Sequence, residues 1–275
     1  MSSSFPIIYC VWWIKFLLKI FLLSFNVPYV VFSRLGLFKH GEMHSNIYAN
    51  KIWDLHFLIN DKIYDIDKTG SFLELGPGDS LKSGLKAVSV GFNNYYFIDN
   101  NNYANDYLSV FQNINNTKNN NKIHSGKEKN YCFYFTNAEK SFSNLSNDSL
   151  SFVFSNSVLQ HIASNKVSYV LSELNRASSP NCIQSHVIDL RDMINRSKIH
   201  LSIPNFIWES KFLKSKSIYT NRFSFTKWKD LFINANFNII DISVYDHEDN
   251  LLLNNESYLD PVSVCSMHII VTKNS

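Results

Sequence analysis

Hydrophobic positions fall along this chain in short, turn-bounded runs separated by stretches with helical spacing. Phe72 to Leu75 and Tyr95 to Asn100 are the two clearest runs, and the second ends in an acid, Asp99. Phe72, Leu73 and Leu75 flank Glu74 with no turn residue among them, as a strand buried on both faces requires. Leu81, Leu85 and Val88 then recur at helical spacing. YCFYFTNAE, Tyr131 to Glu139, predicts a third strand. SLSFVFSNSVLQHI, Ser149 to Ile162, predicts a fourth that runs into an apolar helix start. Val167, Val170, Leu171 and Leu174 place a helix over 165–177, stopped before Pro180. CIQSHVIDL, Cys182 to Leu190, reads as strand five, and Trp228, Leu231 and Phe232 mark a helix over 226–236. Asn238 to His247 and Val262 to Lys273 read as strands six and seven, joined without a helical signal. The prediction is an α/β fold: a doubly wound, seven-strand, mostly parallel sheet with helices between the first five strands. A terminal hairpin supplies one antiparallel strand. Two stretches stand outside this scheme. Asn100 to Asn130 is Asn-rich and reads as a surface helix and a loop, least ordered over 116–129, and Phe5 to Phe32 is almost continuously apolar.

The richest chemistry lies between the first two strands. Gly76, Pro77 and Gly78 turn the chain sharply, and the missing Cβ atoms let a ligand lie against backbone. Asp79 and Ser80 are good caps for the next helix, whose N-terminus would attract an anionic group. Asp99, one strand over, stands where an acid can accept both hydroxyls of a ribose. Leu81 occupies the third glycine of a GxGxxG fingerprint, and the pattern GxxxxGK[ST] is absent, so neither a dinucleotide loop nor a P-loop fits.

ExGxG followed by an acid after the next strand resembles motifs I and II of the class I S-adenosylmethionine-dependent methyltransferases. The order and spacing of elements over roughly residues 40 to 273 resembles that family too. GLFKHGEMH (36–44), ELGPGDSL (74–81), SNSVLQHI (155–162), HVIDLRD (186–192) and YTNRFS (219–224) look like a bacterial subgroup associated with surface-glycan or secondary-metabolite pathways. The resemblance implies S-adenosylmethionine as cofactor, held by Glu74, Gly76, Gly78, Asp99, Asn137, Ala138 and Ser155. His161 after the fourth strand and His186 and Asp189 in the fifth are the candidate catalytic groups. Arg191, Tyr219, Asn221 and Arg222 are the candidate contacts to a small-molecule or glycan-like acceptor. Each also has a plain structural reading: a packed histidine, an Asp189–Arg191 pair, a surface arginine. Ser151 stands where many members carry aspartate. That keeps a second reading open, a catalytically silent cofactor-binding or membrane-associated partner protein.

Composition narrows the partners. A chain of 275 residues, 45% hydrophobic and 18% charged, holds one large core with an appended segment. A net charge of +3, with basic residues scattered, argues against nucleic acid. No clustered His, Cys or carboxylate pattern suggests a metal. Cys10, Cys132, Cys182 and Cys265 are far apart, as expected of free, mostly buried thiols in a reducing, cytoplasmic compartment. The expected division is an apolar N-terminal helical segment, 1–39, and a catalytic domain, 40–275. Lys15 and Lys19 are one helical turn apart on one face of that segment, which suits a helix lying in a membrane interface or against a partner. A lid on the catalytic domain or a membrane span are the alternatives, and no small-residue cleavage site follows the apolar run.

Overall fold

The computed structural model describes residues 5–25, 42–100, 102–104, 106, 109, 132–135, 141–252 and 263–274. Eight strands form one sheet: β1 (Ser71–Leu75), β2 (Asn94–Ile98), β3 (Cys132–Phe135), β4 (Leu150–Asn156), β5 (Ser178–Asp189), β6 (Phe237–Tyr245), β7 (Leu251–Leu252) and β8 (Ser266–Lys273). Their order is β3-β2-β1-β4-β5-β8-β6-β7. The first five pair in parallel, whereas β8 runs antiparallel between β5 and β6. The expected seven strands are thus eight: the polar turn after β6 folds back into the two-residue β7. The third strand ends at Phe135, so Asn137 and Ala138 lie outside the described residues, as does nearly all of the Asn-rich stretch.

The helices are α1 (Phe5–Ser24), α2 (Asn46–Trp53), α3 (Ile59–Tyr64), α4 (Lys82–Val90), α5 (Val167–Ala177), α6 (Asn205–Trp208), α7 (Lys211–Lys214) and α8 (Phe225–Asn234). A π-helical turn, Asp54–Leu58, joins α2 to α3. Helices were expected between all of the first five strands. Between β3 and β4 the described residues hold only a 3-10 turn, Phe142–Asn144.

Every residue of β1 is buried, because helices cover both faces of the sheet. Phe72, Phe97, Phe152 and Phe154 face Trp53, Phe57 and Phe92 in one aromatic layer. Leu73, Leu75 and Val153 face α5 and α8 across the sheet. The chain leaves β1 for β2 through α4, packed in the first layer, and leaves β4 for β5 through α5, packed in the second. The strand order therefore reverses between β1 and β4, and the carboxyl ends of these two strands open a crevice where such sheets bind ligands.

A third cluster lies apart from the sheet. Trp12 and Phe16 of α1, both buried, pack with Ile194, Ile199, Ile203, Trp208, Leu213, Ile218 and Tyr219. Pro6 falls in the first turn of α1, where a missing N–H breaks no helical bond. Lys15 donates to Asn195 Oδ1 at 2.7 Å and Lys19 to the Met193 carbonyl at 2.7 Å. The two lysines thus flank the inward face and tie α1 to the chain's own 193–219 segment. No helix among the described residues is long and apolar enough to cross a membrane.

Candidate active site

Gly76 and Gly78 adopt φ of 73° and 69°, the left-handed region that glycine enters without strain. A Cβ on Gly76 would lie 2.3 Å from Val158 Cγ2, so glycine also lets the β1 turn meet the loop after β4 at the switch point. The Gly76 N–H donates to the Ile98 carbonyl at 2.8 Å, and the Gly78 N–H donates to Asp99 Oδ2 at 3.2 Å. Asn100 N–H donates to the other Asp99 oxygen at 2.7 Å. The expected cradle of two glycines and an acid is therefore one hydrogen-bonded unit, with Asp99 partly exposed at its rim.

Glu74 lies beneath the turn, 3% exposed, and its carboxyl accepts from the Ser83 hydroxyl of α4. Burial pushes its pKa up to about 8; the Ser83 hydrogen bond opposes this and nearby Asp99 adds to it. Among the described residues this carboxyl meets no cationic partner, the kind of group that an amino-acid ammonium supplies. The turn and both acids fit the cofactor that the resemblance implies.

The cap of α4 differs in part from the sequence expectation. The helix begins at Lys82 with Leu81 at the N-cap position; Ser80 Oγ accepts from the Lys82 N–H at 3.3 Å, whereas Asp79 does not cap it. Asp106 joins Ser80 there: it accepts from the Ser80 hydroxyl and, at 3.1 Å, from the Leu81 N–H. The anion at this helix N-terminus is thus a side chain of the protein itself. Asp79 instead accepts from Met43 N–H at 3.0 Å, closing the segment before α2 over the glycine turn.

At the end of β4 the edge residue is Asn156. Its Nδ2 donates to Tyr48 Oη at 3.3 Å, and its Oδ1 meets His56 Nε2 at 3.3 Å. His56, directed inward by the π-helical turn, bonds Ser185 Oγ at 2.7 Å, and Ser185 bonds His268 Nε2 at 2.8 Å. Tyr48, Asn156 and His56 were not found by sequence reasoning. Only the SNS triplet after an apolar strand pointed near them.

Ser155 and His186 face the opposite layer. They bond each other, Ser155 Oγ to His186 Nδ1 at 2.8 Å, and His186 Nε2 meets Gln184 Oε1 at 3.0 Å. Both are fully buried. Burial brings the His186 pKa down to about 3, so the ring is a neutral core group with no path to a ligand. Side chains alternate across a strand, which is why neighbours in sequence part here. Ser151 lies near the start of β4, at the far end from the ligand crevice, and donates to the Ser71 carbonyl at 3.3 Å. An aspartate missing there takes no group from the crevice.

His161 is placed differently. Ser157 turns the chain at φ 58°, and a 3-10 turn, Leu159–His161, carries the imidazole back to the carboxyl edge. His161 Nδ1 lies 2.7 Å from the Tyr219 carbonyl. A carbonyl only accepts, so Nδ1 carries the proton and Nε2 presents a lone pair. Burial holds the His161 pKa below the usual imidazole value, against the opposing pull of the Tyr219 bond and of Asp189. The ring is therefore a neutral base at pH 7.

The remaining candidates are engaged with one another. Asp189 takes two hydrogen bonds from Arg191, at 2.8 and 2.9 Å, and Arg191 also reaches Asp249 and the His247 carbonyl. Arg191 is 3% exposed and clamps the end of β5 to the β6–β7 turn, which leaves it no reach toward an acceptor. Tyr219 is buried, with its hydroxyl on Glu209 and on the Ser164 N–H. Asn221 donates to the Leu159 and Ile162 carbonyls at 3.0 and 3.1 Å and so fixes the loop that bears His161. Arg222 donates to the Ile203 carbonyl at 2.6 Å and lies over the Trp208 ring at 5.3 Å. Of this group, Tyr219 and Asn221 position His161 and Arg222 braces α6.

No family model matches this chain, and no curated protein matches it. Solved structures do. The cyclase SpnF is similar at 9% identity and a TM-score of 0.51, with 86% of each chain covered. An S-adenosylmethionine-dependent methyltransferase from Methanosarcina mazei is 16% identical, with a TM-score of 0.47, 80% of this chain and 99% of that one covered. A protein from Pyrococcus horikoshii is 12% identical, with a TM-score of 0.49 and 86% and 95% covered. At 9% identity the SpnF likeness speaks for the fold alone, a mostly parallel α/β sheet.

Proposed function

We propose that this chain is an S-adenosylmethionine-dependent methyltransferase acting on a small-molecule or glycan-like acceptor. The observation that carries this reading is the pair of left-handed glycines at the switch point, tied through Gly78 N–H to Asp99. Such a unit offers bare backbone and a ribose-accepting carboxylate side by side. Gly76, Gly78, Glu74 and Asp99 would hold the cofactor. When bound, it supplies an electrophilic methyl carbon. The chain's own work is to orient the acceptor, exclude water and take up the proton that a hydroxyl acceptor sheds. His161 Nε2 is the group assigned to that proton, with Asn221 and the Tyr219 carbonyl fixing the ring. Asp189, paired with Arg191, helps hold the edge. The acceptor class rests on the motif resemblance.

Calorimetry with S-adenosylhomocysteine tests the assignment. Binding is expected, NAD is expected to give no heat, and the melting temperature should rise only with the first. Asp99→Ala should weaken S-adenosylhomocysteine by at least about tenfold, since each charge-assisted bond contributes roughly 1.5 to 3 kcal/mol. A folded protein that gives no heat with either S-adenosyl compound would remove the methyltransferase reading.

A further inference from the structure

Helix α1 contains only three polar side chains described here, Lys15, Lys19 and Ser24, and a helix apolar all round belongs in a core or a bilayer. Its inward face is already occupied: Trp12, Phe16 and the flanking Ile20 and Leu23 pack on the 193–219 segment. The opposite face is not. Ile14, Leu17, Phe21 and Phe25 follow one another at spacings of three and four, on one stripe, and each is more than half exposed. Leu18 adds to it. Phe212 of α7 continues the surface, because Lys216 both donates to the Leu23 carbonyl at 2.9 Å and lies 4.8 Å above the Phe212 ring. Phe206 and Ile207 of α6 are exposed on the same capping segment.

Charge identifies the occupant. Residues 5–25 and 193–216 together hold seven basic residues, Lys15, Lys19, Arg196, Lys198, Lys211, Lys214 and Lys216, against one acid, Glu209; Asp192 adjoins the segment and Arg196 is bridged to Asp249 at 3.1 Å. Glu209 is itself paired with Lys214 at 3.0 Å. The rest of the chain holds 19 basic against 22 acidic residues, so this cap reverses the sign of the remainder. An apolar stripe on a net-basic cap matches the interface of an anionic bilayer, where acyl chains receive the stripe and headgroups meet the lysines. A self-associating dimer face would instead bring two such basic caps together.

We infer that the outer face of α1, with the α6–α7 cap, docks this protein peripherally on an anionic lipid surface. The inner face stays packed on the protein, so the helix lies along the surface and does not cross it. The inference does not depend on the proposed methyl transfer.

The full chain would be sedimented with vesicles of phosphatidylglycerol and phosphatidylcholine, with phosphatidylcholine alone, and with the anionic vesicles at raised salt. Sedimentation with anionic vesicles, reduced by salt and absent with phosphatidylcholine, is expected. The double variant L17E/F21E, placed on exposed positions, should lose binding roughly tenfold or more while keeping its melting temperature. Lys211→Glu should weaken it less. S-adenosylhomocysteine calorimetry on the same samples keeps this outcome separate from that of the cofactor site. Indifference to anionic vesicles would overturn the inference. So would a dimer in sedimentation velocity that L17E/F21E dissolves without affecting vesicle binding, since a second copy would then own the face.

Discussion

The two halves of the ligand crevice are built in opposite ways. On the β1–β2 side, backbone does the work: two glycines, two N–H groups on Asp99, and a buried Glu74 that accepts from Ser83. On the β4–β5 side, side chains tie the loops together. Arg191 holds Asp189 and Asp249, Tyr219 holds Glu209, and Asn221 holds two carbonyls. The first side offers backbone and two carboxyl groups around a tight turn, whereas the second uses side chains to stiffen the loop behind a single base. His161 Nε2 is what that stiffening presents.

The largest effect that would break this comparison is at His161. His161→Gln should lower kcat by roughly 10²- to 10⁴-fold while S-adenosylhomocysteine affinity stays unchanged. The wild-type rate should fall on the acid side, below the ordinary imidazole range, as the ring protonates, and the variant should lack that limb. An unchanged rate would move the base elsewhere or dispense with it.

Stability against pH separates the two halves next. His56, His186 and His268 are buried beside one another around β5, and burial lowers the pKa of each, to about 3 for His186 and about 4 for His268. Between those values and about 6.5 the unfolded chain binds more protons than the folded one, so stability falls as pH falls. Each contributes about 1.4 kcal/mol per pH unit once the pH is well below 6.5. Glu74 acts in the opposite sense. Its folded pKa of about 8 lies above the ordinary carboxyl value, so it costs stability as pH rises from about 4.5 to 8. Three histidines outweigh one carboxyl, and chemical denaturation at pH 7 and pH 5 should show a loss of a few kcal/mol on the acid side.

Glu74→Gln sharpens the cofactor half. Removing the raised carboxyl should stabilise the ligand-free protein at pH 8 by a few kcal/mol, yet weaken cofactor binding roughly tenfold. Thermal melts with and without S-adenosylhomocysteine read both. Equal affinity would show that the carboxyl serves the fold alone. The smallest effect is at Tyr219→Phe, which loses the hydroxyl's bonds to Glu209 and to the Ser164 N–H. A destabilisation of about 1 kcal/mol is expected with KM for the acceptor unchanged, and a change confined to KM would restore Tyr219 as an acceptor contact.

Legibility followed the same division. The glycine turn, Asp99 and the mostly parallel sheet could be read because each depends on local geometry: a left-handed φ needs glycine, and a doubly covered strand needs an unbroken apolar run. The eighth strand escaped notice, since two residues of pairing carry no pattern of their own. Ser155 and His186 looked like ligand groups because sequence proximity to the strand end does not tell which face a side chain takes. Asn156, one residue on, is the one that reaches the edge.

The sequence by itself determined the sheet, the two glycines that must bend at its switch point and the acid that answers them, because covalent geometry and hydrophobic period act over a few residues. Only the tertiary structure decided that Asp106 joins the cap of α4, that Arg191 and Tyr219 serve the scaffold, and that α1 lies against residues 193–219 with its second apolar face outward. Those outcomes depend on which distant groups meet, and a hydrogen bond or a packed face between segments 180 residues apart leaves no periodic trace along the chain.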